Sequence, residues 1–227
     1  MEDIEGALWS RPNIDANRIQ LNQLPPLRRI VVAIDPSVSS SENSDECGVV
    51  CCGVDESNPA QFYVLDDVSG VMAPLEWARQ AISLYNARRA DRIVAEVNNG
   101  GDLVESTLRQ VNSDVSYSKI HASKGKFVRA EPISALYEQN RVHHVGRFDK
   151  LEDQLCSFTV DFDRKSMGYS PDRLDALVWA LTELSEDAVS GSQKPAFGSI
   201  DMSGTHSRQA SRMNAPADHL GGYSRFS

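Results

Sequence analysis

The chain has 227 residues, 41% of them hydrophobic, and a formal net charge of −9. That is enough apolar material for one full core plus tails. The charge excludes a generally basic protein that coats nucleic acid, but not an enzyme acting through a local basic track and an acidic metal site. The sequence shows no signal peptide, no apolar run long enough to span a membrane and no internal repeat.

Residues 1–28 are mixed in character, with Pro25-Pro26 near their end, and read as a linker carrying a short helix. The run Arg29-Ile30-Val31-Val32-Ala33-Ile34-Asp35-Pro36-Ser37 follows. Its apolar residues do not alternate with polar ones, which predicts a strand buried on both faces. Pro36 cannot donate to a ladder, so the strand stops with the Asp35 carboxylate at its carboxyl end. Residues 37–46 are a polar loop. Residues 47–54 and 61–67 read as two further strands joined by short links, an antiparallel meander.

The period then changes. Pro74 opens a helix that runs to Arg88-Arg89 with Trp77 on its core side. A short buried strand, residues 91–97, carries Glu96 near its end and leads into the turn Asn98-Asn99-Gly100-Gly101. A helix over 102–111 and a fifth strand over 115–122 come next. The basic loop Ser123-Lys124-Gly125-Lys126 precedes a helix over 127–139. Residues 142–145 are a short extended piece, 148–156 a helix and 161–169 polar. Ser170-Pro171-Asp172 has the composition of a helix start, and the helix continues through Leu184. Residues 188–227, rich in Ser, Gly and Ala, read as a disordered tail.

Right-handed crossovers would set the fourth strand parallel to and beside the first. Adjacent strand ends are about 4.8 Å apart, so Asp35 and Glu96 could share a cation. Asp172 and Asp175 are three residues apart on one helical face. A last helix lying across the sheet would complete an all-oxygen set, which selects Mg²⁺ or Mn²⁺ over zinc. Simpler roles exist for each. Asp172 suits a helix start, and Asp175 could be a surface acid paired with Arg173 or Arg79. Asp45 and Glu46 read as a solvated loop, and His143 and His144 as structural. Trp77 and Trp179 read as packing. The cysteines Cys47, Cys51, Cys52 and Cys156 lack the partners of a zinc set and read as buried reduced thiols.

Five segments together resemble the nuclease domain of tailed-phage terminase large subunits and the related prophage and gene-transfer-agent packaging proteins. They are residues 29–37, Ser44-Asp45-Glu46-Cys47-Gly48, Ala95-Glu96-Val97-Asn98-Asn99-Gly100-Gly101, the stretch from Lys124 to Pro132, and Pro171-Asp172-Arg173-Leu174-Asp175-Ala176-Leu177-Val178-Trp179-Ala180. The resemblance spans about residues 5–185. It implies an α/β, ribonuclease H-like fold, with a mixed five-stranded sheet and helices on both faces over residues 29–187. It also implies metal-dependent endonuclease cleavage of double-stranded viral DNA concatemers during genome packaging, in the cytoplasm of the bacterial host. Asp35, Glu96 and Asp172 match the catalytic acids, with Asp175 as a further metal ligand of the wider superfamily. Two Mg²⁺ or Mn²⁺ ions would bracket the scissile phosphate, leaving 5′-phosphate and 3′-hydroxyl ends. Lys124, Lys126 and Arg129 would hold the DNA backbone.

The departure from the family is the lack of a phosphate-binding Gly-x4-Gly-Lys-[Ser/Thr] loop. Residues 1–28 are therefore expected to be a linker from a missing ATPase domain, which would be a partner along with the terminase small subunit and the portal protein. Two other readings stay open: another nuclease of the same fold, such as a junction resolvase, and a non-catalytic packaging docking module. Branched-DNA preference would mark the first, and absent metal binding the second.

Overall fold

The computed structural model describes residues 4–36, 46–97 and 101–192. A single six-stranded sheet has the order β5-β4-β1-β2-β3-β6. Its strands are β1 (Arg29–Asp35), β2 (Gly48–Val54), β3 (Phe62–Asp67), β4 (Arg92–Glu96), β5 (Tyr117–Ile120) and β6 (Val142–His144). β1–β2 and β2–β3 are antiparallel, and β4 is parallel to β1 as right-handed crossovers require. The expected five-stranded sheet is corrected to six. β6 pairs parallel with β3 at the sheet edge, but its three residues are too few to show an alternation in sequence.

The strand parity sets two layers. Val31 and Ala33 face one core, built with α4 (Lys126–Glu138), α5 (Asp149–Ser157) and α7 (Asp172–Ser192). Val32 and Ile34 face the other, built with α2 (Pro74–Arg88) and α3 (Gly101–Val111). Cys51 and Cys52 fall on opposite layers, and all four cysteines are buried and outside any disulfide. The same parity places Asp35, Glu96 and Gly48 on the α7 side of the sheet. There α7 crosses the central strands on Leu174, Leu177 and Leu181, all fully buried. A short helix, α6 (Arg164–Met167), lies in the stretch read as polar. Asp163 caps it through the amides of Lys165 and Ser166, a side-chain signal four residues long that no apolar period announces.

The segment expected to be a linker packs onto this domain over its described residues, 4–28. It carries α1 (Arg11–Ala16), buries Trp9 and Ile14 in the α7-side core, and makes backbone bonds from Leu8 to Phe158 and from Ile19 to His144. At the other end, α7 runs to Ser192, past the boundary expected at 187. The remainder of the expected tail, residues 193–227, lies outside the described residues, as does most of the polar loop after Pro36. No helix among the described residues is long and apolar enough to cross a membrane.

Candidate metal centre

Asp35 ends β1, the central strand, and Pro36 follows without a donor. In the antiparallel ladder Asp35 stands opposite Gly48 of β2. A Cβ on Gly48 would lie 2.0 Å from the carbonyl oxygen of Asp172. The first turn of α7 therefore rests directly on the β2 backbone, a seat that only glycine leaves open. Asp172 and Asp175 belong to that turn, and both are buried.

The result is one cluster. A carboxylate oxygen from each of Asp35, Asp172 and Asp175 lies within 4.8 Å of the others. Oxygens about 2.0–2.6 Å from a common Mg²⁺, Mn²⁺ or Ca²⁺ ion are spaced on this scale, and the all-oxygen set suits those hard cations. Three acids so close repel. Burial, followed by the charges of Asp175 and Asp172, pushes Asp35 well above the usual carboxylate range, with Lys126 opposing the shift. The residues present thus fit a divalent cation, which would lower the cost of ionising all three.

Asp175, for which a surface role was open, is among the most buried acids. Its partners are Lys126, through Oδ2, and Arg129, whose Nη2 donates to Oδ1 at 3.2 Å. Arg173 points elsewhere. It binds Glu46 at 2.7 and 3.0 Å, Asp67 at 2.6 Å and the Ser69 carbonyl at 2.8 Å. Glu46, expected to be solvated, is thereby tied to the helix that carries the acids.

Glu96 sits at the end of β4, next to β1; it is not one of the three acids that meet within 4.8 Å, but its charge also helps to raise Asp35. Its Oε2 accepts from the indole Nε1 of Trp179 at 2.9 Å and lies 3.7 Å from Arg129 Nη2. Of the three cations expected to contact DNA, Lys126 and Arg129 face the acids. Lys124 is exposed, and its carbonyl accepts from Arg129. His143 bonds the Asn17 carbonyl and Gln61, and His144 bonds Tyr137 and Glu152. Both are structural and remote from the acids in the bonding scheme.

Sequence reasoning missed Trp179 as a site residue and Gly48 as the seat of the first turn of α7. The first had a legible signal: positions 172, 175 and 179 follow the i, i+3, i+7 spacing of one helical face.

A family model described as the terminase RNaseH-like domain matches residues 32–184. No curated protein sequence matches the chain. Solved structures give the fold. The human cytomegalovirus terminase nuclease domain is 15% identical with a TM-score of 0.57, covering 79% of this chain and 95% of that one. The nuclease domain of the large terminase subunit gp2 of bacterial virus Sf6 is 14% identical with a TM-score of 0.59, covering 77% and 98%. The large terminase nuclease of thermophilic phage G20c, solved with bound cobalt, is 12% identical with a TM-score of 0.53, covering 79% and 98%.

Proposed function

The chain belongs to the terminase RNaseH-like domain family, and on that premise we propose that it is a metal-dependent endonuclease that cuts double-stranded viral DNA concatemers during genome packaging. The observation that carries the reading is the meeting of Asp35, Asp172 and Asp175 within 4.8 Å at the end of the central strand. A buried cluster of acids is costly for a domain that only docks. A mutant of the Sf6 nuclease domain has been solved with manganese, and the G20c nuclease with cobalt.

Asp35, Asp172 and Asp175 would hold divalent cation, with Glu96 completing a two-ion site of Mg²⁺ or Mn²⁺. Such ions supply Lewis-acid activation of water and stabilisation of the leaving 3′ oxygen. The protein's own groups shape that site. Asp35, on the most constrained strand, fixes where the cation charge sits. Trp179 and Arg129 orient Glu96, and Lys126 balances the acids. Lys124, exposed on the rim, is placed to meet the DNA backbone, with Lys126 and Arg129 contributing positive field behind it. The implied partners are an ATPase domain joined through residues 1–28, the small subunit and the portal, in the cytoplasm of the bacterial host.

The test is plasmid nicking and linearisation with Mn²⁺, Mg²⁺ or EDTA, for the wild type, Asp35→Ala, Glu96→Ala and Asp172→Ala. Metal-dependent cleavage lost in folded variants supports the reading. Cleavage that survives Asp35→Ala places the chemistry elsewhere.

A further inference from the structure

Helix α7 begins at Asp172, immediately after Pro171. Proline has no side-chain acceptor, so the first-turn amides of α7 lack the usual neighbour to cap them. Their acceptor comes from another helix. Gln154, buried on α5, turns its Oε1 to the backbone N–H groups of Arg173 at 3.0 Å and Leu174 at 3.2 Å. These are the two residues that follow Asp172 and precede Asp175.

Gln154 itself stands on a fixed platform. Two residues earlier, Glu152 is buried and held by Arg11, Arg18, His144 and the Phe148 amide. Three residues later, Ser157 bonds the Gln154 carbonyl and the hydroxyl of Tyr169, near the entry to α7. The start of α7 is then held from three sides: by Gln154 on its free amides, by the Arg173 clamp on Glu46 and Asp67, and by the Gly48 seat.

We propose that Gln154 is a positioning residue for the acid cluster: by capping α7 from α5, it fixes the turn in which Asp172 and Asp175 face Asp35 at cation-binding spacing. This inference rests on the reading of that cluster as a divalent-cation site. Beyond this first turn, α7 is anchored by its buried apolar face, Leu177, Val178 and Leu181 among it. Loss of the cap therefore acts on the turn that carries the acids and leaves the rest of the helix in place. Groups that orient metal ligands from behind commonly change metal affinity by about 10- to 100-fold.

The experiment is calorimetric Mn²⁺ titration of the full chain, paired with thermal unfolding in EDTA, for the wild type, Gln154→Leu and Gln154→Glu. Gln154→Leu removes the acceptor at similar size, and Gln154→Glu restores an acceptor oxygen. The expected result is a cooperative melt for both variants, Mn²⁺ binding about 10- to 100-fold weaker in Gln154→Leu, and recovery in Gln154→Glu. The Mn²⁺ concentration for half-maximal nicking should move in parallel. A cap that served stability alone would lower the melting temperature and leave Mn²⁺ affinity unchanged, and that outcome overturns the inference. So does a Gln154→Glu variant that binds no better than Gln154→Leu. If Gln154→Leu loses its cooperative melt, Gln154→Asn, which withdraws the acceptor by one methylene, is judged by the same criteria. A wild-type chain that binds no divalent cation overturns the metal-site reading and this inference with it, whereas normal wild-type binding with unaffected variants overturns the inference alone.

Discussion

Trp179 donates its indole Nε1 to Glu96 Oε2 at 2.9 Å, across the gap between α7 and the end of β4. Arg129 lies over the same indole, 4.6 Å from the ring centroid. A residue whose spacing marks it as core therefore also fixes a carboxylate at the edge of the candidate metal centre. Trp179→Phe keeps the apolar face under Arg129 and removes the donor. The lost hydrogen bond should cost about 1–2 kcal/mol, read by urea unfolding in EDTA. Nicking should fall more than stability does, because Glu96 loses its orientation. Unchanged nicking in the folded variant would show that Glu96 is not needed in this pose.

Gly48 offers a sharper steric test. A methyl group there meets the Asp172 backbone carbonyl, not the flexible end of a side chain. Relief requires moving the first turn of α7 off the sheet. Gly48→Ala should destabilise by about 1–3 kcal/mol, as overpacking does, and should shrink the Mn²⁺-induced rise in melting temperature by separating Asp172 from Asp35. A variant with wild-type melting and wild-type metal response would mean that the turn relaxes without disturbing the acids.

The strands and the parallel return of β4 to β1 were legible because five buried apolar residues and a closing proline leave few alternatives. Asp35, Asp172 and Asp175 were legible for a related reason: carboxylates at a strand end and three apart on a helix are placed by the backbone alone. Glu96 was placed beside β1, but its capture by Trp179 and Arg129 depends on side-chain contacts distant in sequence. The same holds for Lys126 and Arg129, which read as contacts to the DNA backbone and whose side chains turn to Asp175. The Gly48 seat was hidden because a glycine's significance lies in what approaches it. β6 was legible as a short extended piece, but three residues carry no pattern that assigns them to the sheet edge beside β3.

Lys126 and Lys124 should separate in experiment. Lys124 is exposed, so Lys124→Ala should weaken DNA binding across sequences and lower the salt slope by about 1, with stability unchanged. Lys126 bonds Asp175 and also feels Asp35 and Asp172. Lys126→Ala should destabilise the metal-free protein by about 1–2 kcal/mol, below the range for a fully buried pair because the lysine side chain keeps 44% of its exposure. Saturating Mn²⁺ should close most of that gap, since bound cation replaces the missing charge. Melting curves of both variants with and without Mn²⁺ give the comparison. A Lys126→Ala deficit that Mn²⁺ leaves intact would show that the lysine and the cation do not compete for the same acids.

The buried group formed by Tyr137, His144 and Glu152 predicts how the domain fails in acid. Burial alone would raise Glu152, but hydrogen bonds from His144 and Arg18 outweigh it and hold the carboxyl well below its ordinary range. An ionised carboxylate only accepts, so His144 donates from Nδ1 to Glu152 at 3.0 Å and accepts at Nε2 from the Tyr137 hydroxyl at 2.9 Å. His144 is therefore neutral, and burial lowers its pKa. Both folded-state values are depressed, so both groups contribute stability at neutral pH. The His144 contribution is lost as pH falls from about 6.5 through its lowered value, and that of Glu152 as pH falls from about 4.3 toward its own. Asp35 acts with the opposite sign: its pKa is raised, so its contribution is complete below the ordinary carboxylate value and is lost as pH rises through the folded value. Glu152→Gln should cost about 3–5 kcal/mol at pH 7, because Arg11 and Arg18 lose a buried counter-charge. Denaturant unfolding in EDTA from pH 8 to pH 2 should show the gap between wild type and variant narrowing below about pH 4, where the unfolded carboxyl protonates first. A gap that stays constant with pH would mean that Glu152 titrates alike in the folded and unfolded chain, and the depressed carboxyl inferred from its partners would be wrong.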